Sequence, residues 1–371
     1  MTQRILIILF LVLLQFCFAH AQEQDTSKFR LITKISYHNG LLLPHRIAMQ
    51  HIPKETTNGF ELNLEKSSNG TKAWEKLYNN PTFGVSLLYT STGNYEALGN
   101  AFGANAYLLL PIFSTAKFKL QTSWGWGFGY IGKKFDRISN YKNNAIGSHF
   151  NLFGSIKIKS EIYVSPVDAI LIGAAFNHWS NSGIRKPNLG INIPTWSIGY
   201  LHKFYEPSPK SQKLTKLERK AYNPALKNEF TVMPILGFTS IGIHDQNIYQ
   251  AYVFQLNYSR LWSAKYKINW SWDLFYNTAF KEMMQRNIET KDNTALQSGI
   301  MASYEQTIGR VGIIFGWGTY IFDQTKRGDP FYHRFGTRFG ITENIIINTT
   351  LHTHWAVSDH LEIGVGYKFR R

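Results

Sequence analysis

Large apolar and polar residues alternate along much of this chain. Between Ile268 and Leu274 the apolar side chains occupy the even positions and polar side chains the odd ones, and Tyr252 to Ser259 repeats the alternation. A repeat of two residues is that of a β-strand, whose side chains point alternately to opposite faces. The pattern therefore predicts strands with one aromatic or aliphatic face and one mostly small or polar face.

The alternation recurs often enough to predict about sixteen strands. Clusters of Asn, Gly, Pro, Asp and Lys separate most of them, as turns require. The predicted strands are 29–37, 58–65, 82–90, 101–111, 117–131, 146–158, 168–180, 192–204, 229–243, 249–262, 265–278, 295–307, 310–322, 333–343, 345–355 and 360–369.

The N-terminus resembles a cleaved secretory signal peptide. Arg4 supplies the positive charge, an apolar run follows from 5 to 16, and Ala19-His20-Ala21 has the small residues of a cleavage site. Residues 1–21 are therefore predicted to be removed. Cys17, the single cysteine, would leave with them, so the mature chain has no thiol chemistry.

Export, together with a composition rich in aromatics, predicts an outer-membrane protein of a Gram-negative bacterium. Aromatic residues make up 15% and hydrophobic residues 44% of the chain, yet the mean hydropathy is −0.23. In strands that face lipid on one side, apolar and polar residues alternate, so their mean hydropathy is close to zero. The predicted fold class is therefore all-β, an antiparallel transmembrane β-barrel. We expect one wide barrel rather than two barrels of eight strands, because Phe369 near the C-terminus is typical of a closing strand, whereas the first half continues into a linker.

The chain divides into two halves that resemble each other. A deacylase-like half (22–204) is followed by a basic linker (205–228) and a second half (229–371). Similar segments recur in the same order, which indicates an internal duplication, with chance similarity between barrel strands as the alternative. The segment 178–181 corresponds to His354-Trp355-Ala356-Val357, so the second half is predicted to carry a degenerate copy of any site.

The charge of the chain favours an anionic partner. Its formal net charge is +16 at pH 7. For an exported protein, phosphorylated lipid at a membrane surface fits better than nucleic acid, and a merely basic surface is the alternative.

The chemistry concentrates where the seventh predicted strand ends. His178 and Ser180 share one strand face and continue a bulky apolar row, so they are expected to face lipid, and Asn192 falls on the same face of the next strand. A histidine beside a serine can serve as base and nucleophile. An ordinary strand end running into a polar loop is the alternative.

This segment resembles the outer-membrane lipid A 3-O-deacylases of the PagL type, also described as acyloxyacyl hydrolase-like barrels. The shared pattern is His178-Trp179-Ser180-Asn181 followed by Pro187-Asn188-Leu189-Gly190. The motif covers 176–192, and the architectural resemblance extends over about 29–204. It implies Ser180 as nucleophile and His178 as base, and it offers three oxyanion donors: Asn181, Asn188 and the amide of Gly183.

The third catalytic position departs from the family pattern, which has glutamate where this chain has Asn192. No Asp or Glu occurs from 169 through 205, and Glu96 or Asp136 from loops are the open alternatives. Arg185 and Lys186 could contact a phosphate of lipid A, or could be ordinary solvated charges.

The sequence thus predicts a serine esterase that removes an ester-linked acyl chain from lipid A in lipopolysaccharide. Neither cofactor nor metal is expected, and the oligomeric state is left open. A catalytically silent pore or structural barrel is the first alternative, and an outer-membrane phospholipase is the second.

Overall fold

The computed structural model describes residues 30–206, 228–245, 247–286, 295–323, 329–355 and 357–370. The predicted signal peptide (1–21), most of the linker (205–228) and Ala356 lie outside these ranges. None of the helices within them is long and apolar enough to cross a membrane.

The described residues form sixteen strands, two short α-helices and one turn of 3-10 helix at Ile47–Met49. The helices are α1 (Ala73–Leu77) and α2 (Thr278–Gln285). The strands are β1 (Leu31–Leu41), β2 (Thr56–Ser67), β3 (Thr82–Ser91), β4 (Asn100–Ser114), β5 (Phe118–Ile131), β6 (Phe150–Tyr163), β7 (Asp168–Ser180), β8 (Ile191–Lys203), β9 (Asn228–Thr239), β10 (Tyr249–Ser263), β11 (Tyr266–Asn277), β12 (Leu296–Ile308), β13 (Val311–Asp323), β14 (Phe331–Gly340), β15 (Ile345–His354) and β16 (Val357–Arg370).

The strands close into two separate antiparallel barrels of eight, so the prediction of one wide barrel is wrong. In the first barrel β1 pairs with β8, and in the second β16 pairs with β9. Each closure satisfies the backbone groups of both edge strands, which leaves neither half an edge to join to the other. Phe369, on which the prediction depended, pairs with Phe230 and closes only the second barrel.

Alternation along each strand separates a barrel interior from a lipid-facing surface. In β7 the even positions from Ile170 to Phe176 are exposed, whereas Leu171, Asn177 and Trp179 are buried inside. Large apolar side chains therefore face outward, as a membrane requires.

Paired charges fill the interior of the first barrel. Lys34 Nζ lies 2.8 Å from Glu161 Oε1, and Glu61 pairs with Lys157 and Lys159. Burial of charges is tolerable only when each is paired and hydrogen-bonded, and these residues are at most 4% exposed.

The second barrel is filled by the same kind of pairing. Arg334, which is fully buried, bonds Glu362 through Nε at 2.6 Å and Asp273 through Nη1 at 3.1 Å. Barrels of eight strands are just wide enough for side chains to fill, and both interiors fit that rule.

The two ends of the first barrel differ in their connections. One end has the segments 42–55, 132–149 and 181–190, whereas the other has the short turns 115–117 and 164–167 together with one longer segment, 68–81, which contains α1. Long loops are typical of the extracellular side and short turns of the periplasmic side. An apolar core beneath the long loops, including Leu42, Leu98, Phe153 and Trp179, closes this outer end.

The two barrels contact each other at three levels. At the outer end, the backbone N–H and the hydroxyl of Ser240 both donate to the Gly183 carbonyl at 3.1 Å. Between the barrels, Trp126 of β5 packs on Phe335 of β14 with ring centroids 5.0 Å apart. At the inner end, the Tyr78 hydroxyl donates to the Thr307 carbonyl at 2.7 Å.

Candidate active site

The predicted histidine and serine lie at the outer end of β7, on its lipid-facing side. The exposed row from Ile170 to Phe176 continues into His178 and Ser180, which are half-buried. Trp179 between them points into the barrel and is fully buried, and its indole N–H donates to a backbone carbonyl of β4 at 3.0 Å. This anchor fixes the strand's rotation, so both neighbours are held outward.

Asn192 of β8 lies directly opposite His178 in the strand pair. His178 Nδ1 is 2.5 Å from Asn192 Oδ1. An amide oxygen can only accept, so Nδ1 carries the proton of a neutral imidazole and Nε2 is left as the acceptor. A general base needs that tautomer.

His45, from the loop after β1, holds the Asn192 amide in turn. Asn192 Nδ2 lies 3.0 Å from His45 Nδ1, and His45 Nε2 lies 3.0 Å from the Leu189 carbonyl oxygen. The carbonyl requires a proton on Nε2, so Nδ1 accepts from the amide, and the amide cannot reverse without losing both bonds. Sequence reasoning missed His45 because it is separated from Asn192 by 147 positions and no local pattern marks it.

Two donors point at the hydroxyl oxygen of Ser180. Asn188 Nδ2 lies 3.0 Å away and the Ser182 backbone nitrogen 3.1 Å away. The Asn188 amide is itself oriented, because its Oδ1 accepts from the Asn181 backbone N–H at 3.0 Å. Both donors can stabilise negative charge on the oxygen when its proton leaves.

Among the described residues, no hydrogen bond joins Ser180 to His178. The hydroxyl instead lies 3.3 Å from Asn188 Oδ1. Catalytic hydrogen bonds often tighten only when substrate binds, so Ser180 and His178 stay candidates for nucleophile and base.

Asn181 and Gly183, the other predicted oxyanion donors, build the loop. Asn181 Oδ1 accepts from the Gly183 N–H at 3.1 Å, and its Nδ2 donates to Ser148 Oγ and the Arg185 carbonyl at 2.8 Å each. The Gly183 amide is therefore already used within the loop. The Ser182 amide, absent from the sequence prediction, contacts the hydroxyl of Ser180 instead.

Gly190 sets the position of the His178 ring. Its φ is +86°, and a Cβ added there would lie 2.8 Å from His178 Cε1. We expect Gly190→Ala to displace the imidazole and, with His178 as the predicted base, to lower kcat by about tenfold to a hundredfold, because misplacement of such a group by an ångström costs that much. Ester hydrolysis by the purified variant measures this, with Gly242→Ala, where a Cβ meets open space, as the control. Unchanged kcat in a folded Gly190→Ala protein would contradict it.

Arg185 and Lys186 lie in the same loop, and both are half-buried. The Arg185 backbone N–H donates to Asn181 Oδ1, and the Arg185 carbonyl accepts from Asn181 Nδ2. These two bonds hold the backbone of this stretch against the loop interior. Contact of either side chain with a substrate phosphate stays a prediction.

The acids left open by the sequence lie elsewhere. Glu96 pairs with Lys54 on the surface, and this hydrogen bond lowers the pKa of the Glu96 carboxyl below its usual value. Asp136 accepts from the Ser139 backbone, which lowers the pKa of that carboxyl. In the described part of the chain, the side chain that His178 bonds is the amide of Asn192.

The second half has no counterpart to His178 at the aligned position. The even positions of β15 face the interior, and His354 bonds Asp359 through Nδ1 at 2.7 Å and the Tyr320 hydroxyl through Nε2 at 3.1 Å. His178 faces outward and His354 faces inward. In this alignment of the two halves, the two histidines therefore do not occupy equivalent positions.

Two family models match the chain. The one described as "Lipid A 3-O-deacylase (PagL)" matches residues 58–201, and the one described as "Acyloxyacyl hydrolase, C-terminal domain" matches residues 228–371. The first half of the chain therefore belongs with the lipid A 3-O-deacylases (PagL), and the second half with the acyloxyacyl hydrolase C-terminal domains. The resemblance read from the His-x-Ser-Asn motif is thereby confirmed. Each family match falls within one of the two barrels.

Several solved structures are similar to this chain at low sequence identity. The outer membrane enzyme PagL is 15% identical, with 45% of this chain and 97% of that chain covered and a TM-score of 0.30. Neisserial surface protein A is 14% identical, with 47% and 96% covered and a TM-score of 0.30. Omp33 of Acinetobacter baumannii is 7% identical, with 92% and 99% covered and a TM-score of 0.19. No curated protein matches the chain.

Proposed function

We propose that this protein is an outer-membrane esterase that removes an ester-linked acyl chain from lipid A, with Ser180 as nucleophile and His178 as base. Its family and its closed barrels support an outer-membrane enzyme acting on ester bonds. The observation that carries the proposal is the 2.5 Å hydrogen bond between His178 and Asn192 on the lipid-facing side of the barrel. Ser180 lies two residues further along β7, on the same face.

The first half of the reaction acylates Ser180. As Oγ attacks the ester carbonyl, its proton passes to His178 Nε2, and the carbonyl π electrons move onto oxygen to give a tetrahedral oxyanion. Asn188 Nδ2, which donates to Ser180 Oγ at 3.0 Å and is oriented through the Asn181 amide, would turn its N–H to the negative charge that develops on the carbonyl oxygen. Collapse expels the sugar oxygen, which takes the proton from His178.

The second half restores the serine. Water loses a proton to His178 as it attacks the acyl carbonyl, and the second tetrahedral intermediate expels Ser180 Oγ, which regains the proton. Asn192 keeps the imidazole in one tautomer through both steps, but its neutral amide stabilises imidazolium less than a carboxylate would.

A gap in the lipid-facing surface offers a course for the acyl chain. Gly154 of β6 lies directly between Trp126 of β5 and His178 of β7 in the strand register. An added Cβ on Gly154 would be in ordinary contact with Trp126 alone, at 3.7 Å. Trp126 packs on Phe335, so the second barrel borders this gap. An acyl chain lying over Gly154 would bring its ester to the level of His178.

Lipid A analysis tests the proposal. Expression of the full chain in a Gram-negative host is expected to lower the mass of lipid A by one fatty acyl group, which mass spectrometry of extracted lipid A detects. Host cells expressing an unrelated eight-stranded barrel at the same level are the control. Unchanged lipid A, with the protein folded in the outer membrane, would overturn the proposal.

The two alternatives predict other results. A phospholipase would release fatty acid from phosphatidylethanolamine micelles and leave lipid A intact. A pore would conduct ions across planar bilayers, yet the interiors of both barrels are occupied by paired charges such as Lys34 with Glu161 and Arg334 with Glu362. Filled interiors of this kind favour the esterase over the pore.

A further inference from the structure

The outer mouth of the second barrel contains a cluster of histidine and aspartate that the esterase does not use. His352 of β15 lies opposite His360 of β16 in the strand register, and Asp359 precedes His360. One ligand atom from each of the three residues falls within 4.8 Å of the others. His352 is 2% exposed and His360 is 3% exposed.

Three nitrogen atoms of this cluster are buried without a hydrogen-bond partner: His352 Nδ1, His360 Nδ1 and His360 Nε2. The nearest carboxylate oxygens are too far for hydrogen bonds, at 3.6 Å from His352 Nδ1 to Asp359 and 3.7 Å from His360 Nε2 to Glu362. Leaving a buried polar atom unsatisfied costs about 1–3 kcal/mol. Three such atoms beside a carboxylate make this cluster a candidate ligand site.

The surroundings of His352 prepare Nδ1 to bind a cation. The other ring nitrogen, Nε2, lies 3.4 Å from the Tyr320 hydroxyl oxygen. When that nitrogen donates its N–H to an outer partner, the lone pair is left on Nδ1, which is how metal-binding histidines are usually oriented.

His360 has a similar arrangement. Its Nε2 faces Glu362, whose carboxylate also bonds Arg334 at 2.6 Å. A slight approach of Nε2 to Glu362 would place the N–H there and leave Nδ1 of His360 with its lone pair.

We propose that His352, Asp359 and His360 bind one divalent transition-metal ion, with Zn²⁺ as the best fit. Two imidazoles and a carboxylate are the donors that such ions take, and the fourth position would hold water. Ligand atoms around tetrahedral Zn²⁺ lie roughly 3.4 Å apart. Closing the cluster to that spacing requires the two rings, now stacked with centroids 4.7 Å apart, to tilt toward a common point.

The ion would tie together strand ends that touch the catalytic half. The Asp359 carbonyl accepts from Thr239 at 2.8 Å, and a Cβ added to Gly183 would lie 2.8 Å from the same carbonyl oxygen. Metal in the second barrel would therefore stiffen the surface on which the loop after Ser180 rests. This consequence does not depend on what reaction Ser180 performs.

Metal binding by the full chain tests the proposal. Protein purified in detergent without an affinity tag is stripped with chelator, titrated with Zn²⁺ by calorimetry, and then assayed for bound metal. One ion per chain is expected, together with a Zn²⁺-dependent rise in Tm, because a ligand of the folded state stabilises it. We expect His352→Ala and His360→Ala to weaken binding by at least about tenfold each.

Control variants separate binding from folding. His51→Ala removes an exposed histidine that bonds a backbone carbonyl in a loop of the first barrel, and it is expected to bind as the parent does. Asp359→Asn retains the size of the side chain while removing its charge, so it tests the site if a histidine variant misfolds. No stoichiometric Zn²⁺ binding by the parent protein, or equal binding by a folded His352→Ala, His360→Ala double variant, would overturn the proposal.

Discussion

Ser180→Ala is expected to lower ester hydrolysis by at least about three orders of magnitude. Without the hydroxyl no acyl-enzyme forms, and the two donors at 3.0 and 3.1 Å are left facing a methyl group. Release of fatty acid from lipid A micelles by the purified variant measures this. A matched loss is expected for His178→Ala, and the double variant should lose little more, because the two groups act as one unit.

The control for the serine is Ser139→Ala in the exposed loop 132–149, where the hydroxyl bonds Asp136 and lies outside the site. It should hydrolyse lipid A at the parent rate. Full activity in Ser180→Ala would show that Ser180 is not the nucleophile. It would leave lipid A as the proposed substrate, with another group as the nucleophile.

Asn192→Ala is expected to lower kcat by about a hundredfold or more, because the His178 ring loses the acceptor that fixes its tautomer. Asn192→Asp keeps the acceptor and adds a charge that stabilises imidazolium, so it should retain or exceed the parent rate. The family's own residue is tested by Asn192→Glu, where an increase in rate would mark this position as the orienting one. Steady-state hydrolysis at several pH values measures all three.

His45 provides the internal check on this chain of bonds. His45→Ala leaves Asn192 in place but removes the partner of its Nδ2, so the amide can reverse and present nitrogen to His178. An intermediate loss in kcat with an unchanged KM is expected. If Asn192→Ala and Asn192→Glu both match the parent protein, His178 is oriented by something other than Asn192.

The two-residue repeat of β-strands was enough to predict the strand positions and the direction of the side chains along them. Alternation, divided by turn-forming clusters, predicted about sixteen strands, and the prediction for β7, 168–180, matches its bounds Asp168–Ser180. Parity also indicated that His178 and Ser180 share a face. These are local properties, since each residue's direction follows from its neighbours.

Contacts between distant segments could not be predicted in this way. The chain closes as two barrels because β8 pairs with β1 and not with β9. The alternating pattern of a strand does not specify which strand it pairs with. His45 reaches Asn192 only because the loop after β1 folds over the barrel mouth. Gly183 was a plausible oxyanion donor in sequence, but its N–H is already donated to Asn181.

With His178 and Ser180 as the proposed catalytic pair, their outward direction determines how substrate is encountered. A site on the perimeter of a barrel meets molecules that diffuse within the leaflet, a search in two dimensions in which bulk concentration has no direct meaning. For such a site the governing quantity is the mole fraction of substrate among the surrounding amphiphiles. Diluting lipid A with inert detergent at constant total lipid A would then slow the enzyme as effectively as lowering the amount of substrate.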